Sequence, residues 1–256
     1  MQQRMDIDHH RQRMLIGSVA LLFPIICLIL FWVCVQNLIQ PTSISVTYHF
    51  GSRDVFCGLL FVVGAFLFTY RGWNTVEYWL ANFASLCAIT VALAPTSINL
   101  HWINEFGIPF EENQCLVKTS DICITSSHAF TPYIHQTAAI VLISILFIFC
   151  WGFYSRAKDK LKMFPQNKNI RRRSRIYLGC LIAMPLSVMW AAKIYFTKGE
   201  VVGDPSLFYV EWVCLWAFAI SWLVASKQLP LLSNSKKEED DIDAQLEQSK
   251  GHDKKT

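Results

Sequence analysis

The sequence lacks the signatures of several common soluble folds. It contains no glycine-rich phosphate loop, no Cys-x-x-Cys pair and no internal repeat. A P-loop nucleotide site, a zinc ribbon and a repeat solenoid are therefore not indicated. Amphipathic periods are also missing, because the apolar residues, 53% of the chain, come in uninterrupted runs. That pattern excludes an ordinary soluble domain.

The apolar runs have the length that a membrane requires. A bilayer core about 30 Å thick is crossed by about 20 helical residues. Each run is predicted to be a helix, because a lipid-exposed backbone must satisfy its own hydrogen bonds and no alternation typical of a barrel strand is present. The sequence thus predicts an all-α polytopic membrane protein, a bundle of six transmembrane helices within residues 14–226. The predicted spans are about 14–36, 55–70, 78–100, 130–154, 176–196 and 206–225.

The distribution of Lys and Arg predicts the orientation. The connection 155–175 is strongly basic, whereas residues 95–129 contain only Lys118 among the basic residues. Basic loops stay in the cytoplasm, so 155–175 and both termini are predicted to be cytoplasmic, with 37–52, the outer loop 101–129 and 197–205 outside. Residues 1–13 form a short N-terminal segment. The tail 227–256 mixes both charge signs with few apolar residues, and we expect it to be disordered.

The first run is an anchor rather than a processed signal. It is longer than a signal-peptide core, and no small-residue cleavage site follows it. The formal charge of +4 is explained by topology, so no nucleic-acid partner is indicated. Contact of the basic loop with anionic headgroups is a secondary role for it. We expect a multi-pass protein of the cell membrane.

Two of the nine cysteines lie outside the apolar runs. Cys115 and Cys123 share the predicted outer loop, where an oxidising compartment permits a disulfide. The sequence leaves open whether the two are joined.

Polar residues gather in the outer third of the predicted bundle. His135 lies about 7 Å inside the fourth span and Glu211 about as deep in the sixth. Charged groups at such positions usually face a bundle interior or a wet cavity. We therefore predict an outward-facing polar pocket in which Arg53 and Asp54 engage Glu211, His135 or Lys193. The positive ends of three helices would favour phosphate or carboxylate there. The predicted ligand-binding residues are Ser45, Tyr48, His49, Arg53, Asp54, His135, Lys193 and Glu211.

Each of these residues also has a structural interpretation. Ser52 and Asp54 could cap the second helix, and Arg53 and Lys193 could extend to the interface. His135 could be a hydrogen-bonded interior histidine. Glu211 is hardest to explain this way, because an acid inside an apolar span needs a partner or a proton.

Four stretches carry a resemblance: "SISVTYHFGSRDVFCGLLFVVGAFLFTYRGW", "NFASLCAITVALAPT", "IHQTAAIVLISILFIF" and "FYVEWVCLWAFAISWLV". They resemble a family of uncharacterised bacterial six-span integral membrane proteins, which implies a bacterial inner-membrane location. The resemblance selects all the ligand-binding residues above except Lys193. More distantly, six spans with "PTSIS" after the first are similar to DRAM/Frag-like membrane proteins, some of which act in lipid remodelling.

A third comparison concerns zinc. Ser45 and His49 match the Ser-x-x-x-His motif of the alkaline ceramidases and related lipid hydrolases. This chain has no His-x-x-x-His motif, however, and six spans rather than seven. A site built from His49, His135 and Asp54 or Glu211 would still suit zinc-activated water.

Two function classes follow. The first is a non-enzymatic membrane protein, without a cofactor, that binds an outer-leaflet lipid headgroup or a small anionic ligand, or handles protons through Glu211 and His135. The second is a membrane-embedded lipid hydrolase, with His135, Glu211 or Asp54 as the candidate catalytic residues and zinc as its candidate metal. A transporter is less favoured, because the inner half of the spans has no matching polar path.

Overall fold

The computed structural model describes residues 2–119, 121–198 and 203–229, together with positions 232, 234, 238, 242, 244 and 245; the side chains of residues 2–9, 112 and 198 are not described. The chain is mostly helical, at 74%. The α-helices are α1 (Gln2–Val35), α2 (Arg53–Thr69), α3 (Thr75–Leu93), α4 (Leu100–Phe106), α5 (Thr131–Met163), α6 (Lys168–Lys198) and α7 (Ser206–Ala225).

The six longer helices pack in a ring. Along the ring, α1 contacts α2, α2 contacts α3, α3 contacts α5, α5 contacts α6, α6 contacts α7, and α7 returns to α1; α5 also touches α7. The first residues of α1, α3 and α6 and the last residues of α2, α5 and α7 share one end of the ring, which we call the basic end. The other end, which we call the loop end, carries the connection between α1 and α2 and the connection between α3 and α5.

Five helices in the described part of the chain are long and apolar enough to cross a membrane. They are α1 from His10, α3, α5, α6 to Thr197, and α7. These helices support a multi-pass membrane protein. The second predicted span, 55–70, corresponds to α2, whose 17 residues make about 25 Å of helix, less than a bilayer core usually requires.

Two predicted boundaries differ from the structure. The third span was predicted to reach residue 100, but α3 ends at Leu93, because Pro95 disfavours helical geometry at Ala94 and cannot itself donate to a helix. The basic connection 155–175 is mostly helical, since α5 continues to Met163 and α6 begins at Lys168. Hydropathy marks the apolar part of a helix and does not detect a polar continuation beyond the membrane.

The predicted outer loop is partly ordered. Strands β1 (Ile98–Asn99), β2 (Val117–Lys118) and β3 (Ile122–Ile124) form a small antiparallel sheet with β3 in the centre. Cys115 and Cys123 form a disulfide with a Cα–Cα distance of 5.3 Å. Cys123 and Ile98 are fully buried, so the sheet packs onto the loop end of the bundle.

Most of the predicted tail, 227–256, lies outside the described residues. At the positions that are described, Asn169 Nδ2 donates to Asn234 Oδ1 at 2.9 Å and Asn167 Nδ2 donates to Glu238 Oε1 at 2.8 Å. Ile242 is buried. These contacts lie beside the start of α6, at the basic end.

An aromatic cluster forms the core near the basic end. The ring of Trp222 lies 4.9 Å from the Tyr70 ring, 5.7 Å from the Phe149 ring and 5.9 Å from the Phe153 ring, measured between centroids. Such tilted and edge-to-face pairs add about 0.5–1.5 kcal/mol each beyond burial. The cluster connects α2, α5 and α7 and forms the floor beneath the charged groups described below.

Candidate functional site

The stretch between α1 and α2 enters the bundle at the loop end. Residues Ser45–His49 form a 3-10 helix. Its first amides are capped by Glu211 of α7: Ile44 N–H donates to Glu211 Oε2 at 2.6 Å, and the Ser45 amide also bonds to this carboxylate. Phe208 N–H donates to Thr42 O at 3.1 Å. Glu211 therefore joins this stretch to α7.

The hydroxyl groups of the stretch bond within it. Val46 N–H donates to Ser43 Oγ at 3.0 Å, and Thr47 Oγ1 donates to Ile44 O at 2.6 Å. Ser52 Oγ donates to Thr47 Oγ1 at 2.9 Å and makes no side-chain cap for α2. The hydroxyl groups of the stretch thus supply hydrogen-bond partners within a buried turn, where polar groups must be hydrogen-bonded.

Two of the predicted site histidines bond to the same short turn after α3. His135 Nδ1 lies 2.6 Å from Ala94 O, and His49 Nε2 lies 2.9 Å from Thr96 O. Since a carbonyl only accepts, each ring nitrogen named here carries the proton. His135 is 5% exposed, and its Nε2 is buried with no hydrogen-bond partner among the described residues.

The other predicted site residues lie apart from this group. Arg53 and Asp54 are exposed at the start of α2, and Arg53 Cζ lies 5.3 Å from the ring centroid of Tyr48, a cation–π contact. Lys193 is exposed on α6. Within the described part of the chain, neither Arg53 nor Asp54 pairs with Glu211, His135 or Lys193. The predicted engagement is therefore not seen, because Arg53 instead lies on the neighbouring aromatic face.

The pKa of His49 is well below its ordinary value. Burial disfavours the charged imidazole and lowers this pKa from 6.5 to about 4, with smaller contributions from His135 and Arg53, against the hydrogen bond to Thr96. His49 is thus neutral at physiological pH. Burial also raises the pKa of Tyr48, although Arg53 beside it acts in the opposite direction.

Acidification is expected to destabilise the protein through His49. Because its folded pKa is depressed, the unfolded chain binds a proton between pH 6.5 and 4 that the folded chain does not. Stability should be full above pH 6.5 and fall by about 2 kcal/mol by pH 5. Thermal unfolding in detergent from pH 7.5 to 5 measures this loss, and His49→Gln should flatten the profile. An equally steep profile in His49→Gln would contradict the assignment.

The loop-end residues do not assemble into a metal centre. No group of three His, Cys, Asp or Glu side chains within the described residues is arranged to hold a metal ion. The candidate set His49, His135, Asp54 and Glu211 is divided, since Asp54 is exposed and Glu211 bonds to backbone amides. The zinc-dependent alternative has no geometric support here.

A second site, which the sequence analysis did not predict, lies at the basic end. A cavity of about 60 Å³ opens there between α1, α5, α6 and α7. A single water needs roughly 10–15 Å³ of such space, so the cavity has room for a group the size of phosphate. We call it the basic cavity. Its cationic lining residues are Arg13, Arg156, Lys160, Arg173 and Lys227.

Arg13 is a buried member of this set with several contacts. It is 8% exposed; Nη2 donates to Tyr70 Oη at 3.0 Å and Nη1 to Ala225 O at 3.3 Å. Its guanidinium lies over the rings of Tyr70 and Phe153, at 5.6 and 5.9 Å from their centroids. Its Nε is buried and has no hydrogen-bond partner among the described residues.

Arg156 also lines the cavity and is held by an ion pair. Its Nη1 bonds to Glu77 Oε1, and Glu77 Oε2 accepts from Trp73 N–H at 3.0 Å. The Arg156 guanidinium lies 5.1 Å from the Phe153 ring centroid and 6.0 Å from that of Trp73. Its Nη2 is buried with no hydrogen-bond partner in the described ranges.

The cations of the basic cavity converge because they are spaced one helical turn apart. In the sequence, the basic residues of 155–175 were explained by topology alone. Arg156 and Lys160 are four residues apart on α5, and Arg173 and Tyr177 are four apart on α6, so each pair shares a helix face. This spacing was the available signal. It was missed because residues 155–175 were taken to be a loop.

No protein-family profile, no curated protein and no solved structure matches the chain. The assignment of function therefore rests on the two sites themselves.

Proposed function

We propose that this protein is a multi-pass membrane protein that binds a phosphate-bearing anionic ligand in the basic cavity. In this proposal α2 crosses the membrane in addition to the five candidate helices, which makes six spans. Both termini and the basic cavity then face the cytoplasm, and the protein resides in the cell membrane. The observation that carries the proposal is that Arg13 and Arg156 line one cavity and that each has a buried guanidinium donor, Arg13 Nε and Arg156 Nη2, with no hydrogen-bond partner among the described residues.

The energetic argument starts from those donors. A buried donor without an acceptor costs about 1–3 kcal/mol, and more when it is charged. An anion in the cavity would supply the missing acceptors and offset the repulsion between converging cations. Arginine is the residue best suited to this role, because its planar fork matches phosphate oxygens and stays charged.

The loop end supports an accessory structural role in this proposal. Glu211, His49 and His135 each bond to backbone groups of the loops, which accounts for their presence in or near the spans. The lipid-hydrolase alternative would require one of these groups to reach a substrate, and His135 Nε2 is the buried nitrogen that it would use. The resemblance to bacterial six-span proteins is compatible with the proposed topology.

The proposal is tested by binding of inorganic phosphate to the detergent-purified full chain. Isothermal titration at constant ionic strength should give saturable binding, and Arg13→Gln should weaken it at least tenfold. Because Arg13 also bonds to Tyr70 and Ala225, its loss could impair folding. Lys160→Gln, at a half-buried position that is more exposed than Arg13, is therefore the second variant, and it should also weaken binding.

Lys193→Gln is the matched control, since it removes one positive charge from an exposed position at the other end of α6. It should bind phosphate as the wild type does. Absence of saturable binding in the wild type would overturn the proposal. Equal weakening in Lys193→Gln would do so as well, because it would reduce the effect to overall charge.

A further inference from the structure

The basic cavity lies at the level where the spans end. Arg13 is three residues inside the start of the first candidate span, His10–Val35, and Ala225 is the last residue of α7. Tyr177 lies within the first three turns of α6. A ligand in the cavity is therefore at the depth of lipid headgroups, where aromatic residues such as Trp73 and Tyr177 are also favoured.

An apolar groove begins beside the cavity. Trp73 lines the cavity, and two residues further on Thr75 opens a groove of about 640 Å³ on the outer face of α3. The groove is walled mainly by apolar side chains that are more than half exposed, Val76, Trp79, Phe83 and Leu86. The two features are thus two residues apart along the chain, from Trp73 to Thr75.

The groove has the length of one lipid leaflet. From Thr75 to Leu86 the helix rises about 16 Å, close to half of a bilayer core about 30 Å thick. The face opposite, with Ala81, Ala84 and Ala88, is buried against the bundle. The groove is thus on the side of α3 that meets acyl chains.

We propose that the ligand of the basic cavity is an anionic phospholipid, whose phosphate binds Arg13 and Arg156 and whose acyl chain lies in the α3 groove. This inference rests on the proposed function and names the source of the phosphate. The positive charge of the basic cavity complements the negative charge of the headgroup, so the headgroup occupies the cavity. The groove adds affinity through van der Waals packing of the chain against α3, because both surfaces are already surrounded by hydrocarbon and no water is displaced.

The inference predicts that an intact lipid binds more tightly than its soluble headgroup. Native mass spectrometry of the detergent-purified chain with dioleoyl-phosphatidylglycerol should show saturable binding at least a hundredfold tighter than glycerol phosphate. Dioleoyl-phosphatidylcholine, which has the same chains without net charge, should bind at least tenfold more weakly than phosphatidylglycerol.

Val76→Trp tests the groove without touching the cavity. Val76 is 66% exposed, so a larger side chain fills the groove at little cost to folding. It should weaken phosphatidylglycerol binding at least tenfold and leave glycerol phosphate binding unchanged. Ile140→Trp, at an exposed apolar position of α5, is the matched control and should change neither.

The outcomes separate the two proposals. Equal affinity for glycerol phosphate and phosphatidylglycerol, with no effect of Val76→Trp, would overturn the lipid inference and leave the phosphate site standing. Equal binding of phosphatidylcholine would also overturn it, because the cavity charge would then contribute nothing. Absence of saturable binding of inorganic phosphate, the outcome named above, would overturn the proposed function itself.

Discussion

Glu77→Ala is expected to lower the free energy of unfolding by about 3 kcal/mol, a value at the lower end for a broken buried ion pair because Arg156 remains partly exposed. Glu77 is 8% exposed and neutralises Arg156. Its removal leaves a guanidinium among the other cations of the basic cavity and takes the acceptor from Trp73 N–H. Thermal or denaturant unfolding in detergent measures the loss.

The bundle leaves specific room for this ion pair. A Cβ at position 152 would lie 3.3 Å from Glu77 Oε1 and 3.6 Å from Arg156 Nη1. Gly152 therefore allows α5 to approach the carboxylate of α3 closely. Asn74 Oδ1 also accepts from Glu77 N–H at 2.8 Å, which fixes the start of α3 and the position of the acid.

A double-mutant cycle separates the ion pair from local packing. Arg156→Met alone should also destabilise, since it leaves the Glu77 carboxylate without its partner. The cycle uses Glu77→Leu and Arg156→Met as its single changes; in the double variant neither charge of the pair remains, and at least half of the summed loss should be recovered. Strictly additive losses would show that the two side chains do not act as a pair.

The membrane-protein class and most helix positions could be predicted from the sequence, because uninterrupted apolar runs depend only on local composition. The helix ends were less accessible. Pro95 ends α3 at Leu93, whereas the predicted span continues to residue 100. The charged extensions of α5 and α6 resemble a loop when only apolar residues are counted.

The partners of the charged residues could not be predicted in the same way. Depth along a span placed His135 and Glu211 near the loop end, but depth is a single coordinate and does not specify which face a residue presents. Arg13 bonds to a carbonyl 212 residues away, and the Glu77–Arg156 pair joins residues 79 apart. Such pairings depend on how the helices are arranged around the ring. The sequence therefore showed an excess of positive charge in 155–175, and the basic cavity was not predicted.

The same limit applies to the predicted engagement of Arg53 with Glu211, His135 or Lys193, which is not seen among the described residues. A pair of opposite charges opening a short span suggests a pocket, whereas the structure places both side chains on the surface, with Arg53 over Tyr48. The ring of Tyr48 lies only five residues before Arg53 in the chain. A local contact of this kind needs no partner from another helix.

Glu211→Ala is expected to lower the free energy of unfolding by about 3 kcal/mol, because it leaves the buried amides at Ile44 and Ser45 without their acceptor. The loss should be concentrated at the loop end. Hydrogen exchange in detergent should quicken at these amides and in the 3-10 helix that follows, while the aromatic cluster near the basic end keeps its protection.

Glu211→Gln distinguishes this structural role from a catalytic one. The amide oxygen of glutamine can still accept one backbone hydrogen bond, so this variant should keep about half of the stability lost in Glu211→Ala. Asp54→Ala is the matched control, because it removes an exposed acid at the same end and should change stability by less than about 0.5 kcal/mol. If the amides of Ile44 and Ser45 exchanged at the wild-type rate in Glu211→Ala, the Glu211 carboxylate would not cap the 3-10 helix. Its position inside an apolar helix would then favour the alternative in which Glu211 acts on a substrate.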